Sequence, residues 1–165
     1  MTGDETPTLA RDLALIGYPL LASAESCAHD VCTLLDTRHD VDALASGPDG
    51  SLVLVAYRAQ PEWRYRTITV RYVNDKGNHE VQLAKLLSGR SRADLYVQGY
   101  PAGVAYVRAG DLRAAFLSGR TKTCSAHPAA LRGAQGQLFV VACELCAAVV
   151  YVPRVASDPF AGLDF

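Results

Sequence analysis

The chain has 165 residues, half of them hydrophobic and a fifth charged, with a formal net charge of −1. That is long enough for one domain with a buried core and too apolar for a disordered chain. No apolar run reaches the roughly 20 residues that span a bilayer. The opening MTGDETPTLARD is too acidic and polar for a secretory or transit signal, so a cytoplasmic protein with no membrane partner is expected.

The small net charge hides a segregation. Residues 1–57 carry two Arg against nine Asp and Glu (net −7), and residues 58–122 carry twelve Lys and Arg against five acids (net +7). Residues 123–165 add −1. A basic block of this kind is a footprint for a phosphate backbone, unless the acidic and basic parts simply neutralise each other across the fold.

In chain order, residues 1–8 read as a flexible end. LARDLALIGYPLL then spaces Leu9, Leu13 and Ile16 as a helix that Gly17 stops. VCTLLDT and VDALAS each read as a short strand, and GPDG as a turn. SLVLVAYRA is a continuous apolar strand, and RTITVRYV alternates with Ile68, Val70 and Tyr72 on one face. HEVQLAKLLSG reads as a helix ended by Gly89, ADLYVQGY and GVAYVRAG as strands, and DLRAAFLSG as a helix capped by Asp111 and stopped by Gly119. QLFVVAC and AVVYVP are two further strands. Consecutive strands can meander as antiparallel neighbours, whereas a strand–helix–strand step makes a parallel crossover. The expected fold is therefore α/β or α+β, a mixed central sheet flanked by helices.

The stretch DVDALASGPDGSLVLVAYRAQ resembles the core of the PD-(D/E)XK, or restriction-endonuclease-like, superfamily. The resemblance covers residues 9–116. In active members an Asp near one strand end is followed by a turn and an apolar strand carrying acid-x-Lys. The two acids hold a divalent metal, and the Lys helps orient or activate the attacking water. Asp42 matches the first acid, which makes it the candidate catalytic residue, although an ordinary strand-end acid would look the same. Ala56 and Arg58 stand where the second acid and the Lys belong. The resemblance thus implies either a relocated acid, for which Glu25 and Glu62 are candidates and Mg²⁺ the cofactor, or a core that binds without cutting. SRADLYVQGYPAGVAYVRAGDL looks like the superfamily's later strands. Its Tyr96, Tyr100 and Tyr106 could stack on bases, but tyrosines so placed more often lie half-buried on a sheet.

Cys124 and His127, then Cys143 and Cys146, form two pairs with two-residue spacers, fifteen residues apart. That spacing fits a closed, structural zinc site resembling a zinc ribbon. The alternative is that Cys143 and Cys146 are small core residues. CAHDVC offers Cys27, His29 and Cys32, but Cys27 and His29 would not face the same side, so the cluster reads as structural. Five cysteines is an odd number for a disulfide framework.

The expected organisation is a flexible end at 1–8, a nuclease-like core at 9–119, a ribbon-like segment at 120–155, and an acidic, aromatic tail at 156–165. The expected function is nucleic-acid binding, to DNA before RNA, through Arg58, Arg64, Arg66, Arg71, Arg90 and Arg92, with structural Zn²⁺ and catalysis weak or lost. The alternative is a non-enzymatic interaction module, an adaptor or virion component, that docks on a protein partner through its ribbon and C-terminal tail. An active metal-dependent nuclease is the third reading.

Overall fold

A computed structural model describes residues 8–24, 39–60, 67–71, 82–120, 122–124, 138–142 and 148–154, with the strands at 122–124 and 138–142 described by their backbone alone. The helical spacing near the start forms α1 (Leu9–Leu15), which buries Leu13. Gly17 follows with φ +82°, a conformation that costs glycine little and turns the chain into β1 (Leu20–Ser23). The remaining elements are β2 (Ala43–Ser46), β3 (Leu52–Ala59), β4 (Thr67–Arg71), α2 (Gln82–Ser88), β5 (Leu95–Tyr100), β6 (Gly103–Arg108), α3 (Ala109–Leu117), β7 (Lys122–Cys124), β8 (Leu138–Ala142) and β9 (Val150–Pro153).

Six strands form a mixed sheet in the order β1-β2-β3-β5-β6-β9. β3 and β5 are parallel, joined across β4 and α2, and the other neighbours are antiparallel. The protein is thus α+β with a mixed sheet and, among the described residues, three helices. Every residue of β5 is buried, as expected of a strand covered on both faces. Strand alternation sorts the core into two layers. Ala43, Ala45, Val55, Leu95, Val97 and Val104 pack with Leu13 and Ile16 of α1. Ala56, Tyr96, Tyr100, Ala105 and Val107 face the other way and pack with Leu86 of α2, Leu112 and Ala115 of α3, and Ile68 and Val70 of β4.

The sequence pattern erred in three places. A strand at Leu20–Ser23 was not expected, and VCTLLDT lies outside the described residues. β4 leaves the central sheet and forms a second sheet in the order β4-β8-β7. Asp111 lies in the first turn of α3, whose N-cap is Arg108. QLFVVAC and AVVYVP are strands as expected, in different sheets: β8 pairs with β4 and β7, while β9 pairs with β6.

The two sheets are joined by side chains. Gln98 Oε1 accepts from Thr69 N–H at 2.9 Å and Thr69 Oγ1 at 3.0 Å, and the Tyr100 hydroxyl donates to the Thr67 carbonyl. Among the described residues β4 is an edge strand, and Gln98 and Tyr100 occupy backbone groups that a neighbouring strand would otherwise pair.

On the opposite face lies a buried ionic group. Asp12, fully buried on α1, meets Arg154 Nη2 at 2.6 Å and accepts the Tyr57 hydroxyl at 2.7 Å. A Cβ at Gly99 would collide with this carboxylate, so glycine is the residue that lets it enter. Arg154 also donates to the Tyr100 carbonyl at 2.9 Å, tying the end of β9 to β5 and α1.

Candidate functional site

Asp42 directly precedes β2, whose Ala43 pairs with Val55, and its bonds to β3 fall on either side of Ala56. This is the place the family resemblance assigned to the paired acids, and only one acid stands there. Asp42 Oδ2 accepts the Tyr57 N–H at 2.7 Å, and the Asp42 N–H donates to the Val55 carbonyl at 2.8 Å. Arg58, two residues beyond Ala56, points to the same face and donates to Gln82 Oε1 of α2 at 3.3 Å.

Two further residues join this cluster. Asp40 has φ +58°, a left-handed conformation tolerated by Asp better than by most residues. Its Oδ1 lies 3.5 Å from Nζ of Lys85, a lysine that α2 buries to 7% exposure. The loop after α2 closes against the same segment. His39 Nδ1 is 2.9 Å from the Arg90 carbonyl, the Arg92 N–H donates to the His39 carbonyl at 2.8 Å, and Ser91 Oγ is 2.7 Å from the Tyr96 hydroxyl. Sequence reading missed Asp40 and Lys85. The available signals were the two-residue step from Asp40 to Asp42 and the one charge within the helical run QLAKLLS.

Burial drives the electrostatics. Half-buried Arg58 is held below the usual guanidinium range, first by desolvation and then by repulsion from Arg71, with Asp40 and Asp42 pulling the other way. The Tyr96 phenol is raised by burial, opposed by its contact with Ser91 and reinforced by the charges of Asp40 and Asp42.

The donor set does not fit a divalent cation. Ala56 offers no oxygen, Asp42 spends one on a backbone amide, and Asp40 faces a lysine. Among the described residues no three His, Cys, Asp or Glu side chains gather as a metal site.

Of the proposed nucleic-acid contacts, Arg90 and Arg92 are exposed, and Arg58 and Arg71 lie deeper. Exposed Arg113 of α3, not singled out from sequence, donates to the Leu87 carbonyl at 3.1 Å and so lies beside the 90–92 loop. Tyr96 and Tyr100 are each 2% exposed and cannot stack on a base, and half-buried Tyr106 packs edge-on against Tyr18 with centroids 6.0 Å apart. Arg64, Arg66, Glu25, Glu62, His127, Cys143 and Cys146 lie outside the described residues, and the backbone of Cys124 ends β7, paired with Leu138. An open cleft of about 470 Å³ lies at the far end of β3, between Asp49, Asp94 and Arg108, away from the Asp42 cluster. Among the described residues no helix is long and apolar enough to cross a membrane.

Comparison with protein-family models, curated proteins and solved structures finds no match.

Proposed function

We propose that the protein binds nucleic acid, DNA before RNA, on a restriction-endonuclease-like core that has lost its cutting chemistry. The order of helix, antiparallel three-strand meander and crossover to a parallel strand supports the kinship. The observation that carries the reading is Asp42 bonded to Val55 and Tyr57 on either side of Ala56, with Arg58 two residues beyond Ala56 on the same face of β3. A carboxylate engaged with a backbone amide and arginine in place of lysine favour holding a phosphate over activating water. Exposed Arg90, Arg92 and Arg113 extend positive charge outward from the cluster, as a phosphate-tracking surface requires.

Zinc enters the proposal as a structural ion held by Cys124, His127, Cys143 and Cys146, on the strength of their spacing. The test of the binding surface is an Arg90→Glu, Arg92→Glu double variant. Its affinity for a labelled duplex should fall at least tenfold, uniformly across sequences. Unchanged affinity in a folded double variant rejects this surface.

A further inference from the structure

The Arg58 cluster contains more hydrogen-bond donors than its acceptors satisfy. Gln98, 2% exposed, sits beside Arg58 in the parallel register of β3 and β5. The orientation of its amide is fixed, because Oε1 must be the atom receiving the Thr69 N–H. That leaves Nε2 buried and, among the described residues, without an acceptor. Arg71 follows Thr69 by two residues on the same face of β4, and its buried Nε is likewise without an acceptor among the described residues. The contacts Tyr100–Thr67 and Gln98–Thr69 set the register of β4 over β5, and one more step brings Arg71 level with Tyr96. Arg58 and Arg71 are close enough for their charges to repel. Of the nearby carboxylates, Asp42 Oδ2 accepts the Tyr57 N–H and Asp40 Oδ1 lies against Lys85 Nζ, and neither accepts a hydrogen bond from Arg71 Nε or Gln98 Nε2.

Buried donors without acceptors are costly to the fold, and paired guanidinium groups add repulsion. A group consisting only of acceptors and carrying negative charge would relieve both. We propose that Arg58, Arg71 and the side-chain amide of Gln98 form a receptor for one phosphate group. Half-buried Arg58 and Arg71 form its rim, and Gln98 forms its floor. The planar guanidinium groups suit a phosphate's paired oxygens. The inference rests on the nucleic-acid reading only for the source of that phosphate; the receptor itself follows from the donors.

The test is thermal unfolding of the full chain in inorganic phosphate against chloride at matched ionic strength, repeated with a short oligonucleotide. Phosphate should raise Tm in a saturable manner, and Arg71→Met should abolish that response. In chloride alone, Arg71→Met should unfold higher than the parent by about 2–4 °C, because repulsion and an unmet donor are removed together. A purely structural arginine would lower Tm instead. No phosphate response in the parent, or a response that Arg71→Met retains, overturns the receptor. A response to inorganic phosphate without oligonucleotide binding keeps the receptor, assigns it to free phosphate and rejects the nucleic-acid reading. Oligonucleotide binding that Arg71→Met leaves intact, with no phosphate response, keeps that reading and rejects the receptor.

Discussion

The carboxylate of Asp42 accepts the N–H of Tyr57 at 2.7 Å while its own N–H donates to the Val55 carbonyl at 2.8 Å, so the residue grips β3 on either side of Ala56. An acid used in this way holds the start of β2 to the middle of β3. Asp42→Ala should therefore cost about 1.5–3 kcal/mol in denaturant unfolding, the range for hydrogen bonds to a charged acceptor. The parent should show no Mg²⁺-dependent cleavage of plasmid DNA. Cleavage that disappears in Asp42→Asn would restore a catalytic role to this carboxylate.

A second prediction concerns Asp12 and Arg154. Asp12 is wholly buried, so removing its cation leaves a charge that, among the described residues, keeps only its contact with the Tyr57 hydroxyl. Arg154→Leu should cost about 3–5 kcal/mol, and adding Asp12→Ala should recover part of that loss. Urea unfolding with an unchanged m-value checks it. A single variant as stable as the parent would mean that the pair contributes nothing.

Alkaline pH should weaken the fold. Burial raises the Tyr57 phenol, and its hydrogen bond to Asp12 and that residue's charge raise it further; burial also raises Tyr96 and Tyr106. The unfolded chain releases these protons near pH 10 while the folded chain keeps them. Their contribution is therefore complete below about pH 10 and is lost as pH climbs above it, at up to about 1.4 kcal/mol per pH unit for each of the well-buried Tyr57 and Tyr96, with Tyr106 adding little because solvent screens it. Stability measured from pH 8 to 11.5 should show this decline, and Tyr57→Phe should make it shallower by one proton. An equally steep decline in Tyr57→Phe would contradict the assignment.

One zinc ion per chain is expected, lost in Cys143→Ser. The β7–β8 register makes this a demanding test. Cys124 is level with Leu138, while β8 runs on to Ala142, about 13 Å further along the strand. An ion shared with Cys143 and Cys146 would require the chain to turn back after Ala142. Elemental analysis of purified protein decides the matter, and a chain without zinc removes the ribbon from the account.

The strands and helices with strong local patterns were legible in the sequence: SLVLVAYRA, ADLYVQGY and GVAYVRAG are β3, β5 and β6, and the helices at Leu9 and Ala109 lie close to where their patterns put them. β1 was not legible because LLAS is a short edge strand with no residue fully buried, so it carries no alternation. β4 does alternate, but alternation does not specify which sheet a strand joins. Asp42 was found because a motif named it. Asp40, Lys85 and Gln98 were not, since each becomes informative only once its distant partner is known. For the same reason, the sequence around Asp12 did not reveal a buried ion pair with Arg154.

The most direct test of nucleic-acid binding is the affinity for labelled duplex and single-stranded DNA between 50 and 200 mM salt. Two to four arginine–phosphate contacts predict that log K falls linearly with log salt, with a slope of roughly −2 to −4 on duplex. Affinity that is absent at the lowest salt, or that does not change across the series, would contradict the account.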